Sequence, residues 1–189
     1  MTRLLPFHDP IMTSAQKIKL HIGGWERRAG WKILDILPRE GVDYVASCLD
    51  LSAFPDDSLA EIYASHVLEH LDYKTEAERA LTEWYRALMP DGVLRVSVPD
   101  LDILCRLFTH PKMKPQDRFQ IMRMMFGGQA DAHDQHKTGF FFDMLGSMLD
   151  KAGFTEIKRV GEFGLFKDSS TTRYAGNLIS LNIEARKKA

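Results

Sequence analysis

The sequence predicts an α/β domain: a doubly wound, mostly parallel seven-stranded sheet with helices on both faces. Three observations carry this. Short apolar segments alternate with helical patterns, and residues 61–99 read as strand, loop, amphipathic helix, tight turn and strand. Polar residues also gather where the apolar segments end. Strands that recur between helical patterns pair in parallel through right-handed crossovers. In such open sheets chemistry collects beyond the carboxyl ends of the strands.

Each element has its own signal. Residues 17–22 (KIKLHI) alternate polar and apolar and stop at Gly23-Gly24. Residues 31–36 form a second short strand ended by Pro38, and residues 42–46, 61–65 and 93–98 read as three more. Between the last two, Thr75 and Glu78 have capping-box spacing. Ala77, Leu81, Trp84 and Leu88 then recur at helical intervals before the turn Pro90-Asp91-Gly92. Pro115 is suited to open a helix, with Phe119, Met122 and Phe126 on one face. Phe141, Leu145, Met148, Leu149 and Ala152 mark another, closed by Gly153, and strands over residues 154–160 and 177–185 follow. The chain is expected to be one domain, 1–189, with an insert at roughly 100–139 over the carboxyl edge of the sheet.

Composition narrows the function classes. A net charge of −1 over 189 residues leaves no electrostatic footprint for nucleic acid. Cys48 and Cys105 are isolated, which indicates neither a disulfide framework nor a paired-cysteine metal site and favours a reducing compartment. No run of about 18 apolar residues is present, so no membrane partner is expected. The first ten residues, broken by Pro6 and charged by Asp9, lack a signal-peptide core. A cytoplasmic protein is the expectation.

Three constellations carry chemistry. Gly23 and Gly24 follow the first strand, where glycines let a backbone approach a ligand closely. Asp35 ends the second strand, where a carboxylate accepts the two hydroxyls of a ribose, and Asp50-Leu51 follows the third, placed to meet an adenine. Ser65 and His66 end the fourth strand. His66-Val67-Leu68-Glu69-His70 also spells the H-x-x-E-H pattern of a zinc peptidase helix. That helix would be at most about two turns long before the next cap, so no metal is expected and Glu69 and His70 read as loop-orienting groups. The third constellation, His133 to Lys137 in the insert, offers His136 as a group facing an acceptor, against a plain solvated loop.

The segments KLHIGG, GWKILD, EIYASHVLEH, EWYRALMPDG and LRVSVPDL together resemble the class I S-adenosylmethionine-dependent methyltransferases, in particular the small methyltransferase type 11-like proteins. The resemblance implies a Rossmann-like sheet and S-adenosylmethionine as cofactor. Gly23 and Gly24 would line its methionine part, Asp35 would take the ribose, Asp50 and Leu51 the adenine, with Ser65 and His66 beside the sulfonium. A small-molecule or sugar acceptor is implied, with His66 or His136 as base. The sequence departs from the usual G-x-G turn at Trp25, whose indole crowds the cofactor or turns away. A non-catalytic scaffold that has lost the cofactor is therefore the competing reading, with a zinc metallopeptidase the remote one.

Overall fold

The computed structural model describes residues 17–130 and 134–189. His133 and the amino-terminal segment considered above lie outside these. Nine strands are described: β1 (Ile18–Ile22), β2 (Trp31–Asp35), β3 (Tyr44–Val45), β4 (Leu59–Ser65), β5 (Leu88–Pro99), β6 (Phe154–Val160), β7 (Arg173–Tyr174), β8 (Asn177–Leu178) and β9 (Ser180–Lys187). The helices are α1 (Glu76–Ala87), α2 (Leu101–Thr109), α3 (Pro115–Phe126) and α4 (Phe142–Lys151). Seven strands form one sheet in the order β3-β2-β1-β4-β5-β9-β6, and β7 and β8 pair separately. The first five are parallel, while β9 runs antiparallel to both β5 and β6. The α/β class and the mostly parallel sheet are thus observed.

The two faces of the sheet are built differently. Leu20, Ile22, Leu34, Ile62, Val96 and Ile183 share one buried cluster with Ala77, Leu81 and Trp84 of α1 and Leu145 and Leu149 of α4. Alternation along each strand sends the intervening residues to the opposite face. There His21, Trp31 and Tyr63 pack around Phe166, with the His21 and Phe166 rings 4.1 Å apart. Beside them runs a ladder of alternating charge across five strands, Lys19, Glu61, Arg95, Glu184 and Lys158. Helix cover is asymmetric because loops, not helices, join β1 to β2 and β2 to β3.

Three local expectations are corrected. The Thr75 side chain does not cap α1. Asp72 does that work: its carboxylate accepts from Thr75 N at 2.9 Å while Glu76 Oε2 accepts from Asp72 N at 2.9 Å. On α3, Phe119 and Phe126 face solvent and Ile121 is the buried residue, because the helix packs on α2 through Leu104 and Leu107. The Pro90-Asp91-Gly92 turn does not end an element before the strand but bulges from it. Leu59 pairs with Leu88 and Glu61 with Val93, so residues 89–92 loop out, with Asp91 at φ 61°.

His21 gives the fold a specific pH dependence. Burial in the aromatic box lowers its pKa from 6.5 to about 4, outweighing the nearby carboxylate of Asp168. The unfolded chain takes up the proton near pH 6.5 and the folded chain only near 4. The stability His21 contributes is therefore complete above 6.5 and is lost as pH falls through that window, by about 3 kcal/mol at about 1.36 kcal/mol per unit. Urea unfolding between pH 7 and 4 is expected to show this loss, and His21→Phe is expected to flatten it.

Candidate active site

Parallel pairing brings the carboxyl ends of β1, β2, β3 and β4 to one edge. Gly23 leaves β1 at φ 70°, with its N–H donating to the Leu34 carbonyl at 2.8 Å. A Cβ there would lie 2.9 Å from Val67 Cγ2, and one at Gly24 would run into the His21 ring. Both positions therefore need glycine. Beyond them opens a cleft of about 510 Å³, lined by Gly23, Trp25, Asp35, Cys48, His66 and His70 among others. This lies within the range of ligand pockets, roughly 300–1,000 Å³. A second cleft, of about 430 Å³, sits at the amino ends of β1 and β2 among Lys17, Arg27, Arg28 and Lys32, away from the strand ends that carry the polar groups.

Asp35 is held in place at the cleft wall. Its Oδ1 accepts from Leu37 N at 2.9 Å and its Oδ2 from Arg39 Nη2 at 2.7 Å. Each carboxylate oxygen keeps a lone pair for a ligand hydroxyl. The Arg39 guanidinium also donates to the Gly24 carbonyl and stacks 3.9 Å from the Trp25 ring centroid. Trp25 is 80% exposed. Its indole is drawn onto the wall by this cation–π contact and leaves the cleft open. Sequence reasoning missed Arg39, which lies in the loop after β2, where no periodic pattern marks it as a partner of Asp35.

The other expected cofactor residues fall differently. Asp50 is exposed, and its carboxylate accepts from Ser52 N at 3.0 Å in a local Asx turn. Leu51 is fully buried in the core, its N–H bonded to Glu83 and its carbonyl to Arg86. Neither lines the cleft, whereas Ser47, Cys48 and Leu49 do. The Cys48 carbonyl is pinned by Trp84 Nε1 at 2.8 Å. Burial pushes the Cys48 thiol up to about 11, which makes it a wall and not a nucleophile. Ser65 points to the polar face of the sheet beside Tyr63, so of the pair ending β4 only His66 lines the cleft.

His66, Glu69, His70 and His136 come together at the rim. His66 adopts φ 55° at the strand end, a conformation rare for a side-chain-bearing residue and common at functional sites. Its Nε2 lies 3.0 Å from Ser180 Oγ, and that hydroxyl donates its one proton to the Ser169 carbonyl at 2.8 Å. His66 Nε2 is therefore the protonated nitrogen, and Nδ1 faces Glu69 Oε1 at 3.1 Å, out of hydrogen-bond alignment. Residues 68–70 form a single 3₁₀ turn, which does not present His66 and His70 on one helix face as a zinc peptidase needs. The segment between α3 and α4 docks here: Lys137 N and Thr138 N both donate to the Glu69 carbonyl, at 2.8 and 3.1 Å, and Thr138 Oγ1 donates to the Leu71 carbonyl at 2.7 Å. Burial lowers His136, with Glu69 opposing.

Comparison with known proteins bears on the domain and the fold. The family described as a methyltransferase domain matches residues 31–96. No curated protein matches the sequence. Among solved structures, an S-adenosylmethionine-dependent methyltransferase from Mesorhizobium loti superposes with a TM-score of 0.59 at 19% identity, covering 90% of each chain. The Burkholderia thailandensis 1,6-didemethyltoxoflavin-N1-methyltransferase, solved with 1,6-didemethyltoxoflavin and S-adenosylhomocysteine, gives 0.57 at 15% identity over 91% of this chain and 71% of that one. A possible exported protein from Bordetella parapertussis gives 0.58 at 11% identity; the match covers 92% of this chain and spans only 62% of that one. At these identities the structures establish the fold. Residues 31–96 thus match a methyltransferase domain, and the chain shares the fold of these structures, with an open cleft where β1 and β2 end.

Proposed function

We propose that this protein methylates a hydroxyl or amine of a small-molecule or saccharide acceptor. The observation that carries the reading is the open cleft between Gly23 and the carboxylate of Asp35, with Trp25 stacked on Arg39 and out of the way. When bound, S-adenosylmethionine would supply a methyl group activated by its sulfonium. Reaction at so activated a carbon depends chiefly on alignment and exclusion of water.

The chain's own residues divide that work. Gly23 and Gly24 would let the backbone approach the methionine part, Asp35 would accept the ribose hydroxyls, and Ser47, Cys48 and Leu49 would border the adenine. Asp50 and Leu51 act indirectly, by shaping the turn that presents those three. His66 holds an unprotonated Nδ1 beside Glu69, so a proton leaving the acceptor is received there and stabilised by the carboxylate. His136 packs beside His70, their rings 5.0 Å apart. The 1,6-didemethyltoxoflavin bound by the Burkholderia neighbour supports a small-molecule acceptor, and the near-zero net charge speaks against nucleic acid. No helix among the described residues is long and apolar enough to cross a membrane. The free thiols of Cys48 and Cys105 suit a reducing, cytoplasmic setting.

Calorimetric titration with S-adenosylhomocysteine is expected to show micromolar binding that Asp35→Ala weakens by roughly tenfold or more, the loss of hydrogen bonds to a charged group. No binding at millimolar ligand would instead favour a scaffold without cofactor. In turnover assays, His66→Ala combined with His136→Ala is expected to lower kcat by roughly 10²–10⁴ with cofactor affinity little changed. Unchanged kcat would remove both imidazoles from proton transfer.

A further inference from the structure

At the rim of the cleft, lone pairs converge without a hydrogen to share. Glu69 is 1% exposed, and neither of its carboxylate oxygens has an aligned hydrogen-bond partner among the described residues, the imidazole beside it presenting His66 Nδ1 at 3.1 Å from Oε1. His70 Nδ1 lies 3.2 Å from the Gln135 carbonyl, which can only accept, so Nδ1 carries the proton and Nε2 the lone pair. His136 Nδ1 is buried and likewise without a partner among the described residues. One ligand-capable atom from each of Glu69, His70 and His136 lies within 4.8 Å of the other two. A buried carboxylate left unpaired is costly, and acceptors that face one another repel. A cation between them reverses both effects.

We propose that Glu69, His70 and His136 bind a divalent first-row transition-metal ion. One carboxylate and two imidazoles suit manganese, iron, cobalt or zinc better than magnesium or calcium, which prefer all-oxygen sites. Bonds of about 2.0–2.2 Å require the three atoms to draw together by up to about 1.5 Å as the ion enters. The outer contacts of such a site are already present. The Gln135 carbonyl fixes the His70 tautomer, and the two N–H groups of Lys137 and Thr138 on the Glu69 carbonyl lock the loop carrying His136 to the turn carrying Glu69 and His70.

Three protein ligands leave further positions open, and His70 lines the cofactor cleft, so the opening faces the acceptor. There the ion acidifies an acceptor hydroxyl, whose proton passes to His66. This role rests on the methyl-transfer reading; the ion site does not. The same H-x-x-E-H letters thus give a ligand set unlike a peptidase's. Glu69 is a ligand and not a base, and the second histidine comes from the insert.

The test is a titration of the chelator-treated full chain with Co²⁺, followed by its visible ligand-field absorption, with S-adenosylhomocysteine calorimetry on the same samples. One saturating equivalent is expected, and Glu69→Gln and His136→Asn are each expected to weaken it by at least roughly tenfold. Absence of a saturable spectrum, or unchanged affinity in the variants, would overturn the site. If S-adenosylhomocysteine still binds in that case, the methyltransferase reading stands. Cobalt binding without S-adenosylhomocysteine binding would do the reverse. Should Glu69→Gln lose the native circular dichroism spectrum, His136→Asn, which lies on a loop outside the core, decides alone.

Discussion

Five strands that all run the same way must end at the same edge, and the rest of this molecule follows from that constraint. Parallel pairing of β3, β2, β1, β4 and β5 places Gly23, Asp35, Ala46, His66 and Asp100 at or just beyond one rim, although they are scattered through the first hundred residues. Strand ends leave backbone groups unpaired by the ladder, so this rim is where glycine turns, carboxylates and imidazoles find partners. The same geometry forces the α2–α3 segment to leave the sheet there, because β5 ends at Pro99 and Asp100 caps α2 by accepting from Ile103 N.

The two faces meet that constraint in opposite ways. Under α1 and α4 the sheet buries an apolar layer, which supplies the hydrophobic driving force. Across the sheet lie an aromatic box, completed by Phe166 from the segment after β6, and a ladder of charges. His21 links this face to the cleft. Its ring occupies the space that a side chain at Gly24 would need, so the polar face sets the shape of the glycine turn. Trp84 links the other face, since its indole fixes the carbonyl of Cys48 on the cleft wall. The cleft is held from both sides.

Much of this was legible in the sequence, and the misses have physical causes. Strand ends and glycine turns are local, so Gly23, Asp35 and His66 were placed on the rim from spacing alone. Asp50 lies off the cleft, where its short carboxylate satisfies its own turn with Ser52 N. Trp25 could not be settled because its rotamer is decided by Arg39, a residue that the turn pattern does not contain. The grouping of Glu69 and His70 with His136 was invisible because it is made by tertiary contact: His70 and Gln135 are 65 residues apart. The apolar face of α3 was misread for a related reason, as packing against α2 selects Ile121 over the larger Phe119 and Phe126.

The account stands or falls on the cleft between the ends of β1 and β2. A crystal structure of the full chain grown with S-adenosylhomocysteine tests it most directly. The ligand is expected over Gly23 and Gly24, with its ribose hydroxyls on the Asp35 carboxylate, its adenine against Ser47 to Leu49, and Trp25 still stacked on Arg39. A ligand seated elsewhere, or Trp25 turned into the cleft in its place, would contradict the account.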